Sequence, residues 1–251
     1  MRYYTDLILT LTQKEIKVKY KKSFLGYLWS LLNPLSMAVI YYFAFKMVLK
    51  IPIESFTLYL ITGLFPWQWF SNSVASSSVS LLGNASLIKK VNFPRYFIPL
   101  SNVLNDAFHF ALSLPVIVGF VLLYKIHPTL EWIYGIPLTM LSQFLITYGF
   151  SLFMSSVNLF FRDLEKLVGI FLNILFYATP IIYTSELIPK EVKNYMLLNP
   201  MYAVVEEWHL IFMKGTFDWW FFAVSLSHGL IIFFVGFVIF KKLSWRFAEV
   251  L

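Results

Sequence analysis

The sequence predicts an all-α membrane protein: six transmembrane helices, an N-terminal amphipathic interface helix, and two short external gate helices between the fifth and sixth spans. Three observations predict it. Of 251 residues, 59% are hydrophobic and 13% charged, whereas a soluble domain carries about 25% charged residues. One domain of this length cannot bury so many apolar side chains, so lipid must cover part of them. The charges are also arranged as punctuation. Five stretches, 23–45, 55–88, 132–161, 167–185 and 219–240, hold no Asp, Glu, Lys or Arg, as expected where a charge at the bilayer centre costs about 2.5–3.5 kcal/mol. A sixth apolar stretch, 97–124, is broken only by Asp106, which is placed near an interface. Third, with six spans both termini share a side, and that side holds 14 of the 20 Lys and Arg residues. Basic residues are retained in the cytoplasm, so both ends are predicted there, in a multi-pass protein of the cytoplasmic membrane.

The elements follow in order. Residues 1–22 form the interface helix: Tyr4, Leu7, Ile8, Leu11 and Val18 fall on one side, Arg2, Asp6, Gln13 and Lys17 on the other, the pattern of a helix lying in the headgroup plane. The spans are predicted at 25–47, 58–82, 98–123, 134–160, 167–185 and 219–240, about 20 residues being needed to cross. Pro34, Pro66, Pro115, Pro137 and Pro180 lie in or near spans, where they kink helices and free carbonyls. In the second span Ser73, Ser76, Ser77, Ser80 and Asn84 follow helical spacing, which suits close helix packing or a wet lumen face. Residues 83–97 make a short cytoplasmic segment with Lys89, Lys90, Arg95 and an exposed Phe93-Pro94, a surface that needs a partner or lipid. The external loop 186–218 reads as two short helices. One starts at Pro189 and the other at Pro200, with Asn199 as its cap. Tyr202, Val205, Trp208 and Phe212 form the second helix's apolar face, which dips into the interface or closes a pore mouth.

Several chemistries are excluded. No G-x-x-x-x-G-K-[ST] loop occurs, so the chain is no ATPase. There is no cysteine, and His109, His127, His209 and His228 are scattered, so no catalytic, metal or cofactor site is predicted. The net charge of +7 reflects topology and contact with membrane lipids, with no nucleic acid partner. Ion coupling normally leaves several ionisable groups at membrane depth. Only Asp106, His109 and His228 come close, which leaves an ion-coupled secondary transporter as an alternative.

Six fragments in chain order resemble the permease subunits of ABC-2-type polysaccharide exporters, the family that exports O-antigen, capsule and teichoic acid. They are the basic-Tyr run Lys17 to Lys22 leading to Leu25-Gly26 and Trp29 with Asn33-Pro34; Gly63-Leu64-Phe65-Pro66-Trp67-Gln68-Trp69-Phe70; Leu87-Ile88-Lys89-Lys90-Val91-Asn92-Phe93-Pro94; Phe161-Arg162-Asp163; Thr179-Pro180-Ile181; and Asn199-Pro200. Two departures are Lys19, where an arginine is common, and Glu206-Glu207-Trp208-His209, where an arginine-bearing pattern is usual. The resemblance implies a homodimer bound to two copies of a separate cytoplasmic ABC ATPase, which supplies the ATP and Mg chemistry, and export of a lipid-linked polysaccharide. By the same resemblance Lys17, Lys19, Leu87, Lys89, Lys90, Phe93, Pro94 and Arg95 couple to the ATPase, and Leu25, Gly26 and Trp29 lead into the first span. Pro189, Asn199, Pro200, Tyr202 and Trp208 belong to the external gate. An ABC-2 lipid or drug exporter is the nearest alternative.

The aromatic content, 20% of residues, suits a glycan, because sugar C–H faces stack on rings and many weak platforms let a polymer slide. Candidate stacking residues are Trp29, Tyr41, Tyr42, Trp67, Trp69, Phe70, Phe171, Phe176, Tyr177 and Tyr183. Six helices pack into a closed bundle, so a sugar-wide channel requires a second copy.

Overall fold

The computed structural model describes residues 2–20, 25–48, 50 and 55–251. The expected basic residues Lys21 and Lys22, and the side chain of Lys19, lie outside the described residues. Among those described, the elements are helices and no strand occurs. They are α1 (Arg2–Tyr20), α2 (Trp29–Tyr41, continued by a π-helical stretch Tyr42–Val48), α3 (Phe56–Gly83), α4 (Ala85–Lys90), α5 (Phe97–Leu123) and α6 (Glu131–Asn158). After these come α7 (Leu164–Tyr177), α8 (Lys190–Met196), α9 (Pro200–His209, continued by Leu210–Lys214), α10 (Trp219–Ser244) and α11 (Phe247–Val250).

Among the described residues, four segments are long and apolar enough to cross a membrane: Leu31–Val48, Phe97–Leu123, Glu131–Asn158 and Trp219–Ser244. The second expected span, 58–82, falls within α3, whose 28 residues reach about 42 Å at 1.5 Å per residue. Its serines, Asn72 and Gln68 lower its hydropathy, which keeps it out of those four, and the rest of the bundle surrounds it: α3 packs against α2, α5, α6, α7 and α9. The expected continuous span 167–185 differs from what is observed. Helix α7 has 14 residues, about 21 Å, short of a hydrocarbon core of about 30 Å. Pro180 explains the stop, since in a continuing helix its ring would collide with the carbonyl of Phe176. The turn that replaces the helix is held by polar bonds: Thr179 Oγ1 donates to Leu175 O, and Asn199 Nδ2 donates to Ala178 O and Thr179 Oγ1.

The seam between α6 and α10 is made of small residues. A Cβ on Gly236 would lie 2.2 Å from Gly149 O, one on Gly149 would lie 2.6 Å from the Ile232 backbone, and Gly229 faces Ser142 O at 3.0 Å. Small side chains let two backbones touch, which gains dispersion contact where lipid removes any hydrophobic drive between helices. Around α3, Ser73, Ser77, Ser78 and Ser80 are buried. Ser73 Oγ donates to Asp106 Oδ2 at 3.1 Å, and Asn158 Nδ2 donates to Ser78 O at 2.9 Å. These serines therefore serve packing.

On the side of both termini, a second apolar cluster joins Leu11 of α1, Ile88 of α4, Phe93, Ile98, Phe240 and Phe247. Lys14 Nζ ties α1 to Asn84 Oδ1 at 2.6 Å. Gly26 makes the corner before α2 at φ +48°, a left-handed conformation that a side chain disfavours, and Leu28 N closes a turn on Leu25 O. The Leu25-Gly26 pair thus has a local structural reason. Phe93, expected to be exposed, is buried, because its ring belongs to this cluster. What stays open in the segment is Lys89, Lys90, Val91 and Asn92, with Leu87, Pro94 and Arg95 half-buried; Lys17 is exposed on α1.

Candidate translocation groove

Helix α3 has its polarity inverted for a membrane helix. Gln68, Ser71, Asn72, Ala75 and Ser76, three to four residues apart, form the half-buried to exposed stripe, while Phe65, Trp69, Phe70 and Val74 are inside. A polar stripe pointing out of a bundle at membrane depth needs water, a partner chain or a polar ligand. A groove of about 490 Å³ runs along it. Met37 and Tyr41 of α2 form one wall; Gly169, Leu172, Asn173, Phe176 and Tyr177 of α7 form the other.

Four expected stacking residues meet here: Tyr41, Trp67, Phe176 and Tyr177. Tyr41 stacks on Phe176 at 5.9 Å, and Trp67 meets the same ring at 5.5 Å. The structure does not bring the others to the groove. Trp69 is 3% exposed, stacked on Phe110, with Nε1 donating to Val103 O; Phe70 is fully buried against Phe150. Phe171 packs half-buried on Phe150, and Tyr183 donates its hydroxyl to Tyr177 O. Trp29 and Tyr42 lie exposed on α2. Missed by the sequence reading as site residues were Gln68, Ser71 and Asn72, whose spacing along one face of the second span was the available signal, and Asn173 of α7.

A second groove of about 490 Å³ continues past Asn72, Ala75 and Ser76. Glu15 and Val18 of α1, Asn33, Asn102, Asn105 and Asp106 complete it. Asp106, the charge that breaks the third expected span, is 4% exposed within the α3–α5 contact, where it accepts from Ser73 Oγ and Asn105 Nδ2. Among the described residues, the two groove linings contain amides, hydroxyls, rings and two carboxylates, and no Lys or Arg.

Near the N-terminal end of α3, Asn199 caps α9 by accepting from Met201 N at 3.0 Å, with Pro200 at its first turn, as the sequence predicts. The burial of α9 differs from the expected amphipathic helix, since every residue from Met201 to His209 is buried. Trp208 Nε1 donates to Gln143 Oε1 at 2.8 Å, and Gln143 Nε2 donates to Pro66 O at 2.8 Å. His209 stacks on Tyr59 at 3.9 Å, and the Tyr59 hydroxyl bonds Pro180 O and Tyr183 O. Helix α9 is thereby fastened to α3, α6 and the Pro180 turn. The seven-residue α8, which follows Pro189, stays mostly exposed.

Burial pushes the carboxyl of Glu206 up to about 7 and that of Glu207 up to about 8. Glu206 accepts from Ser185 Oγ and Glu207 Oε1 from Asp218 N, while Glu206 Oε1 and Glu207 Oε2 have no hydrogen-bond partner among the described residues. A carboxyl whose folded pKa lies above its unfolded value, 4.5, binds its proton more tightly in the folded state. Stability is then full below that value and declines as pH rises through the folded pKa. The melting temperature of the detergent-purified protein should fall between pH 5 and 8, and Glu207→Gln should flatten the upper part of that fall. An identical slope in the variant would exclude Glu207 as its source.

Long apolar helices that enclose a polar, ring-walled groove define an integral membrane transport protein. The chain belongs to the ABC-2 type transporter family, whose sequence pattern matches residues 6–213. It is 46% identical over 249 residues to an "O-antigen export system permease protein RfbA" of Klebsiella pneumoniae, covering 99% of this chain and 96% of that one. A protein of the same name from Myxococcus xanthus is 34% identical over 213 residues (84% and 82%). The "Polysialic acid transport protein KpsM" of Escherichia coli is 27% identical over 245 residues (91% and 90%).

Proposed function

We propose that this chain is the channel-forming permease subunit of an ATP-driven exporter that moves a lipid-linked, O-antigen-like polysaccharide across the cytoplasmic membrane. One observation carries the reading: the polar stripe on α3, walled by Tyr41, Trp67, Phe176 and Tyr177, on a chain with close O-antigen export relatives. The amides of Gln68, Asn72 and Asn173 offer donors and acceptors to sugar hydroxyls, and the rings offer stacking faces. Among the described residues the linings carry carboxylates and no Lys or Arg, which favours a neutral polymer over a polyanion. The groove is open on one side, and α2 exposes Leu32, Met37, Val39, Ile40 and Phe43; both features support closure by a second copy.

In this reading α3, and α7 with its Pro180 turn, join the four apolar spans to make six. The basic-residue bias puts both termini in the cytoplasm. Exposed Lys17, Lys89 and Lys90 then face a cytoplasmic ABC ATPase that supplies ATP and Mg chemistry, and α8 and α9 form the outer gate. Co-purification with that ATPase and nucleotide-dependent glycan export in cells are the expected results; transport driven by an ion gradient alone would overturn the proposal. Charge reversal at both Lys89 and Lys90 should leave expression intact and reduce ATPase binding or its transport coupling about tenfold or more, since each rim charge pair contributes about 1 kcal/mol. Unchanged coupling would assign these lysines to solvent or lipid.

A further inference from the structure

A third cavity lies away from the glycan groove. It occupies about 500 Å³ between residues 92–96 and the C-terminal end of α10, a size typical of ligand pockets. Helix α10 packs along α6, whereas the glycan groove lies between α2, α3 and α7, so a molecule here is not in the export path.

The cavity's lining divides into two halves. Phe93, Tyr96, Phe237 and Phe240 make an apolar half, and Phe237 and Phe240 belong to a membrane-crossing segment. Arg95, Lys241, Asn92, Ser244 and Trp245 make the other half, at the end of that segment. From Phe237 to Ser244 the helix rises about 10 Å, the depth over which a bilayer passes from acyl chain to headgroup. Among the described residues, no carboxylate lines the cavity. Arg95 Nη1 donates to Ser244 O, which holds the guanidinium at the mouth, and that bond uses one of its five N–H donors. Trp245 is 67% exposed, and tryptophan prefers the headgroup level, with its N–H toward polar groups.

We propose that this cavity binds the phosphate headgroup of an anionic phospholipid, in the leaflet on the side of the two termini. Arg95 and Lys241 contact the phosphate, Trp245 rests at the glycerol level, and the first acyl methylenes lie on Phe237 and Tyr96. The site goes beyond export itself: a lipid bridging α10 and the segment that follows α4 fixes the spacing between a membrane span and the cytoplasmic surface.

The test uses the purified full chain in nanodiscs of brominated phosphatidylglycerol or brominated phosphatidylcholine. Quenching of Trp245 is read as the difference between the wild type and Trp245→Phe. Half-maximal quenching should need about fivefold less phosphatidylglycerol than phosphatidylcholine, the preference expected of one basic residue at an anionic surface. Lys241→Gln, on an exposed position that does not threaten folding, should reduce that preference toward equality. Equal quenching by the two lipids in the wild type would overturn the proposal, as would an unchanged preference in Lys241→Gln. So would displacement of the lipid by soluble glycerol phosphate at matched concentration, which would mark a free-phosphate site. Because lipid contact is read directly, the outcome is independent of whether a glycan is the cargo.

Discussion

Ala75→Trp is expected to reduce glycan export by about two orders of magnitude or more while the protein still folds and assembles. Ala75 is exposed on α3 and lines both grooves. An indole there projects into the place where the two linings meet, at Asn72 and Ala75 on the polar stripe, and each groove holds about 490 Å³. A surface substitution away from the core costs about 0.5 kcal/mol or less, so the loss should be of transport rather than of stability. Ala75→Ser is the control, since it keeps the stripe small and polar, and export should stay near wild type. The measurement is surface glycan per cell at matched membrane expression. Wild-type export by Ala75→Trp would show that the polymer travels elsewhere. Trp69→Ala provides the opposite signature: burial of Trp69 predicts a loss of about 3–5 kcal/mol of stability, with export falling only as folded protein falls.

The second large effect is at the α6–α10 seam. Gly236→Leu should prevent accumulation of folded protein, because the Cβ alone would meet Gly149 O at 2.2 Å, inside any permitted contact. Overpacking a core costs about 1–3 kcal/mol when side chains can adjust; here the obstacle is backbone, and two long helices would have to separate. Gly149→Leu should fail for the same reason. Size-exclusion profiles of detergent-solubilised protein provide the measurement. Gly83→Ala and Gly169→Ala, where an added Cβ meets nothing within 4 Å, should elute as wild type. A monodisperse Gly236→Leu protein of normal melting temperature would mean the seam is not closed as described.

Local chemistry was legible wherever it depended on neighbours in sequence. Asn199 and Pro200 start α9 because a cap side chain and a proline at the first turn act within four residues. Pro180 ends a helix for the same short-range reason, although hydropathy alone ran the fifth span straight through it. The aromatic candidates fared unevenly. Tyr41, Phe176 and Tyr177 reach the groove, Trp69 and Phe70 are core, and nothing in their own residue types distinguishes the two outcomes. The serines of α3 divide in the same way: Ser73 and Ser77 pack, while Ser76 lines the groove, two outcomes within one turn and a half of helix.

By itself the sequence determined the all-helical, apolar character of the chain, the caps and breaks of helices, and the absence of a nucleotide-binding loop. Those properties depend on composition and on short-range contacts. Only the tertiary structure decided which face of α3 stays open, that α9 is enclosed on all sides, that Phe93 is buried and that Asp106 lies between two helices. In a membrane both lipid and protein interior accept apolar side chains, so the moment of a helix does not separate its inner face from its outer one. The open face of α3 is set by where α2, α5, α6, α7 and α9 pack.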